Sequence, residues 1–187
     1  MGVLFAAADD VAELLVPFIR SMGGERDARA IESVYLEASL GNIDADSFWT
    51  RVGLDPTAEN AYLSQHRLST GALEFLTSAH RVSLPVWCLS NDVARWSRRL
   101  RETFGLEPLL AGAVISSDAR TRKPDRGIYE RLLTAAGCRP NELLFVDDRA
   151  KNVTAAEALG IRAIRFTADY GYAQLATHLF ENGRHFD

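Results

Sequence analysis

The stretch Leu143–Ile161, LLFVDDRAKNVTAAEALGI, constrains this chain more than any other. It opens on four apolar residues, Leu143-Leu144-Phe145-Val146. A short apolar run bounded by polar residues fits a strand buried on both faces of a parallel sheet. Two acids follow at once, Asp147 and Asp148, and then a helical pattern with Val153, Ala156 and Leu159 along one side, stopped by Gly160. The C-terminal end of such a strand is where open α/β sheets bind ligands. Adjacent carboxylates repel and call for a cation, either Mg²⁺ or a Lys/Arg side chain. The plainer alternative is that the two acids only start and cap the next helix.

The same rhythm runs through the C-terminal two thirds. Helical spacing covers Gly71–His80, and Leu84–Leu89 reads as a strand. A helix then runs to about Phe104, with Val93, Trp96 and Leu100 in step. Ala111–Ile115 is the next strand, Ser116–Pro124 a polar loop, and Asp125–Ala136 a helix. Ile161–Phe166 and Tyr172–Phe180 supply a last strand and helix. Strands separated by helices imply right-handed crossovers and a parallel sheet covered on both faces. Residues 9–68 read differently: Val11–Ile19, Asp27–Leu40, the segment holding Phe48 and Trp49, and Thr57–His66 are all helical in period. The expected fold is therefore an α/β, three-layer, Rossmann-like core built from 1–8 and 69–187, with Gly2–Phe5 as first strand. Residues 9–68 form a small all-helical cap inserted after it.

Composition excludes several classes. A net charge of −4 gives no reason to expect nucleic acid or an anionic membrane as partner. No apolar stretch is long enough to span a bilayer, and the first ten residues lack the basic start and apolar core of a signal peptide. Cys88 and Cys138 read as reduced structural thiols, which points to the cytoplasm. His66, His80, His178 and His185 show no metal-ligand spacing.

Three loops each follow a strand and so open on one sheet edge. They carry Ser90-Asn91, Lys123-Pro124 and Asp147-Asp148. A hydroxyl and an amide at a helix start suit an anion. An ammonium and an acid pair beside them complete a site for a phosphate and a metal. Taken singly, Ser90 or Asn91 could be only a helix cap, and Lys123 only a solvated charge.

Leu89-Ser90-Asn91, the run SSDARTRKPDRGIYERLL and FVDDRAKNVTAAEALGI resemble motifs II, III and IV of the haloacid dehalogenase-like (HAD) superfamily. The resemblance is to its small-molecule phosphatases with a helical cap, and Gly41-Asn42-Ile43-Asp44 looks like the turn of that cap. It implies that Ser90, Asn91 and Lys123 contact a substrate phosphate. It also implies that Asp147 holds Mg²⁺ supported by Asp148, and that Asn152 braces the loop. Chemistry in such enzymes starts from an Asp at the end of the first strand, with an acid/base Asp two residues on. Aligning Val3-Leu4-Phe5 with that strand puts Ala6 and Ala8 at those two positions, and Asp9 and Asp10 fall too late. A shortened loop is the alternative alignment. On either alignment Mg²⁺ binding is expected to be weak or absent. The first expectation is a catalytically impaired protein that binds a phosphate, a small phosphorylated molecule or a partner. The rivals are a Mg²⁺-dependent phosphohydrolase drawing its acid from Asp9 or Asp10, a scaffold subunit that leaves a homodimer through the cap open, and a dehalogenase.

Overall fold

The computed structural model describes residues 2–167 and 169–181; Met1, Ala168 and 182–187, His185 among them, lie outside the description. A π-helical turn, Val11–Leu15, runs directly into α1 (Val16–Ser21). Three more helices follow: α2 (Ala28–Ser39), α3 (Ala45–Arg51) and α4 (Ala58–Leu63). The carboxylates of Asp27 and Asp44 cap α2 and α3 by accepting the backbone N–H of Arg29 and Ser47. The rest alternates: α5 (Ala72–Arg81), β1 (Trp87–Ser90), α6 (Ala94–Thr103), β2 (Gly112–Ile115), the short α7 (Ser116–Ala119), α8 (Arg126–Ala136), β3 (Leu144–Asp147), α9 (Ala150–Glu157), β4 (Arg162–Arg165) and α10 (Gly171–Ala176). None of the helices is long and apolar enough to cross a membrane among the described residues.

The expected parallel strands are present, as two parallel pairs. β1 pairs with β2, Ser90 opposite Ile115, and β3 pairs with β4, Asp147 opposite Arg165. Mixed helix and parallel sheet of this kind is an α/β Rossmann-like arrangement. One expectation fails: Gly2–Phe5 is not a strand of the parallel sheet. Gly2, at φ +74°, turns so that its N–H reaches the Phe5 carbonyl. Phe5 then bridges antiparallel to Leu68, with Ala6 N–H on the Arg67 carbonyl and Ser69 N–H on the Leu4 carbonyl. The apolar run signals burial, not a ladder: Phe5 is buried edge-on to His66 and Phe104. β1 also starts later than its apolar run. Ser83, at φ +58°, closes α5, and Leu84 gives its N–H to the Ala79 carbonyl, so these residues end the helix. The polar loop after β2 is helical at its start, as α7.

Two apolar clusters hold the molecule. One joins helices α1–α4 to α5, α6 and α10, through Phe18, Ile31, Phe48, Trp49, Tyr62, Leu76, Trp96, Leu100 and Tyr172. Trp49, Tyr62 and Trp96 meet edge-on or tilted at 5.3–5.6 Å, a geometry that adds to their burial. The other lies between β2, β3, α8 and α9, around Ile128, Tyr129 and Phe145.

Buried against the first cluster is the carboxylate of Glu59 in α4. It accepts the indole N–H of Trp96 at 2.8 Å and of Trp49 at 3.4 Å. It also takes Arg95 Nη2 at 2.6 Å and Arg99 Nη1 at 2.6 Å. Burial alone would raise its carboxyl, but the two guanidiniums and the Trp96 indole hold it below the ordinary value. Glu59 thus pins α4 onto α6.

Candidate functional site

The loops after β1, β2 and β3 meet around the Lys123 ammonium. Its Nζ donates to the Leu89 carbonyl at 2.8 Å and to Asp147 Oδ2 at 2.7 Å, and it lies 5.6 Å over the Phe145 ring. An ammonium has three N–H groups, so one remains. The Lys123 side chain is 10% exposed and Asp147 only 5%. Asp147 Oδ1 accepts the Arg149 N–H at 2.9 Å and Asn152 Nδ2 at 2.8 Å. Burial would lift the Asp147 carboxyl, yet Lys123 and these N–H donors outweigh it and hold the group below its usual range. Asp148 goes the other way: burial, then the Asp147 charge, raise it. Two adjacent acids are thereby set apart, one firmly ionised and one reluctant.

Lys123 thus joins Leu89, next to Ser90 in β1, to Asp147 at the end of β3, with Asp148 following it. The Ser90 hydroxyl has no partner among the described residues. Asn152 braces Asp147 as expected. Its own carbonyl takes the Tyr129 hydroxyl at 2.9 Å, and its buried amide oxygen is left without a partner. Asn91 is turned differently from expectation. Its Oδ1 accepts the Lys123 backbone N–H and its Nδ2 donates to the Lys123 carbonyl, both at 2.8 Å. Its amide therefore faces lysine backbone.

The positions assigned to the missing acids need correction. Ala6 and Ala8 do not stand at the end of a sheet strand, because among the described residues Phe5 forms only an isolated bridge to Leu68. Ala6 is exposed and hydrogen-bonded to Arg67; Ala8 is exposed, with its carbonyl 3.4 Å from Arg149 Nη2. The N-terminal residue that lies against the acid pair is Gly2, where any Cβ would run into the Asp148 carboxylate. Asp9 and Asp10 are both bonded elsewhere. Asp9 caps Ala12 and pairs with Arg149 at 3.4 Å. Asp10 is buried and spent on the Tyr62 hydroxyl (2.9 Å) and His66 Nε2 (3.0 Å). Among the described residues no three His, Cys, Asp or Glu side chains are grouped to hold a metal ion.

Sequence spacing gives no sign of the residues that join α2 and its C-terminal turn to these loops. Tyr35 reads as one more core position of α2, but its hydroxyl donates to the Asn91 carbonyl at 3.1 Å. Ser116 donates to the Ser39 carbonyl at 2.5 Å and accepts the Asp92 N–H at 3.0 Å; Arg122 reaches the Ser39 hydroxyl at 2.8 Å. Gly41, at φ +73°, packs on the Ser117 carbonyl where no side chain would fit. Beside this seam Asp92 is buried, its carboxyl pushed up to about 7 by burial and then by the Asp10 charge. Burial would push the His66 imidazole down, but its bond to Asp10 holds it above the ordinary value. A groove of about 770 Å³ runs along β2, α7 and α8, lined by Ile115, Asp118, Thr121, Glu130 and Arg131; none of the candidate residues lines it. The site is therefore a cluster of loop side chains at the strand ends.

A family model for the haloacid dehalogenase-like hydrolases matches residues 5–160. The chain belongs to this family. Among characterised relatives it is similar to the sesquiterpene phosphatase astK of Aspergillus oryzae, 29% identical over 137 residues, 68% of this chain and 69% of that one. It is also similar to a phosphoglycolate phosphatase of Pectobacterium atrosepticum, 26% identical over 136 residues, 65% of this chain and 58% of the relative. Among solved structures it matches the HAD family enzyme bt-2542 of Bacteroides thetaiotaomicron in complex with magnesium and inorganic phosphate. The TM-score is 0.77 at 22% identity, over 94% of each chain. At that identity the likeness establishes the fold alone.

Proposed function

We propose that this HAD-family chain binds phosphate, or a small phosphorylated molecule, and that its described residues do not by themselves carry out phosphoryl transfer. The observation that carries the reading is the Lys123 ammonium, fixed between the Leu89 carbonyl and Asp147 with one N–H left. A buried cation that keeps a free N–H is a good anion donor, because charge-assisted bonds are about twice as strong as neutral ones.

Asp147 and Asp148 fit a hard cation of the Mg²⁺ kind, which takes one or two carboxylates and completes its shell with water and phosphate. They fit it weakly: Asp147 shares both oxygens with other donors, and Asp148 is raised. When bound, Mg²⁺ would neutralise phosphate charge. Lys123 would orient the anion, and Asn152 and the Arg149 N–H would keep Asp147 ionised. Asp9 and Asp10, bonded to Arg149 and to Tyr62 and His66, are not positioned beside Lys123 as nucleophiles.

Calorimetry with inorganic phosphate tests this reading. Binding is expected in the unmodified protein, with Lys123→Ala weakening it about tenfold or more, as for loss of a bond to a charged group. Unchanged affinity in the variant would overturn the site. A second reading, a Mg²⁺-dependent phosphohydrolase of a small phosphorylated metabolite, is favoured by the two phosphatase relatives. Turnover of p-nitrophenyl phosphate that disappears on Asp147→Asn would put that reading in place of the first. Without a nucleophile the expected rate is lower by on the order of 10⁴ or more.

A further inference from the structure

Asn91 sits in the phosphate loop, yet its side chain is paired with a backbone 32 residues away. The amide matches the Lys123 peptide at both ends, N–H to Oδ1 and carbonyl to Nδ2, each at 2.8 Å. Two parallel bonds from a planar amide fix both the position and the orientation of a peptide group. On its other side Asn91 is held too, since its carbonyl takes the Tyr35 hydroxyl of α2, and the Tyr35 ring stacks on Trp96 at 6.3 Å. From this fixed backbone the lysine side chain runs to Leu89 and Asp147.

We propose that Asn91 is a positioning residue for Lys123: its side-chain amide clamps the lysine backbone so that the ammonium stays seated between the Leu89 carbonyl and Asp147 with one N–H left for an anion. This rests on the phosphate-binding reading above and deepens it. Asn91 then acts on phosphate through the lysine, although one hydrogen of its Nδ2 remains unspent.

A double-mutant cycle separates the two roles. Inorganic phosphate is titrated calorimetrically into the unmodified protein, Asn91→Ala, Lys123→Ala and the double variant. A positioning role predicts that Asn91→Ala weakens binding about tenfold, and that the double variant binds no more weakly than Lys123→Ala alone. Additive losses would make Asn91 a direct ligand and overturn the proposal. So would an Asn91→Ala protein that binds phosphate as well as the parent.

A second readout needs no phosphate. The Lys123 ammonium is buried and bonded on two sides, so its ¹⁵N-correlated protons should exchange slowly with water; its signal is assigned by its loss in Lys123→Ala. Asn91→Ala should speed that exchange at least tenfold, and an unchanged rate would refute the clamp. A parent protein that binds no phosphate would sink the functional reading, while the exchange measurement would still decide the clamp. Should the alanine variant fail to fold, Asn91→Ser, whose hydroxyl can hold only one of the two bonds, is measured against the same criteria.

Discussion

Replacing Glu59 with Gln is expected to destabilise the whole chain, because this carboxylate fastens α4 to α6. Gln has the same shape but carries no charge, and its NH₂ end would face donors already aimed at an acceptor. Breaking a buried ion pair by removing one partner costs about 3–5 kcal/mol. Here the figure is reduced, because Arg95 and Arg99 are 36% and 40% exposed and can turn to water. Arg95 also keeps Asp46 at 2.6 Å. One glutamine oxygen can still accept an indole N–H. The expected loss is about 2–3 kcal/mol, or roughly 5–10 °C in melting temperature for a chain of this size.

Urea unfolding followed by tryptophan emission suits the test, since Trp49 and Trp96 both bond to Glu59 and report the event directly. The sign with pH is fixed by the lowered Glu59 carboxyl. Its contribution is present above the unfolded-state value and is lost as pH falls through the folded one. The gap between parent and variant should therefore be full at neutral pH and narrow in acid. A difference under about 0.5 kcal/mol at neutral pH, or a gap that widens in acid, would refute the reasoning.

Asp92→Asn should act in the opposite sense. The Asp92 carboxyl is pushed up to about 7, so its protonated form suits the fold, and ionisation costs stability progressively as pH rises from about 4 to about 7. The variant should be more stable than the parent at pH 8, and the advantage should vanish near pH 4, in denaturant titrations at the two pH values. Gly41→Ala should cost about 2–3 kcal/mol, from a left-handed backbone and a Cβ driven into the Ser117 carbonyl. Hydrogen exchange should rise together at Ser39–Asp44 and at α7; protection unchanged at both would refute the contact.

Much of this was legible because it is local. Asp27 and Asp44 announce their helices, the apolar periods place α2, α5, α6 and α8, and Asp147-Asp148 after a buried run locates the strand-end site. Lys123 is legible only as part of a motif, since nothing in its neighbourhood says that it will meet an acid 24 residues on. The first strand was misread because three apolar residues report burial without reporting who takes their hydrogen bonds; Phe5 buries its ring while its backbone pairs with Leu68. Tyr35, Glu59 and Asp92 escape for a related reason. Their partners lie 56, 36 and 24 residues away, and helical spacing describes a Tyr or Glu on a buried face in the same terms as any core position.

The Lys123 ammonium links architecture to chemistry. The β1–β2 and β3–β4 pairs share no ladder hydrogen bond among the described residues, yet their C-terminal ends are joined through one Nζ, on a β1 carbonyl and a β3 carboxylate. Those bonds are strong because Lys123 and Asp147 are both withdrawn from water, and the same withdrawal would strengthen any bond to a phosphate. Desolvating an ammonium is costly unless its donors are met. Here two are met by the fold, which leaves the third as the group with most to gain from an anion. The tie that holds the two pairs together and the charge that would receive a phosphate are thus one side chain, and the Asn91 clamp on its backbone serves both.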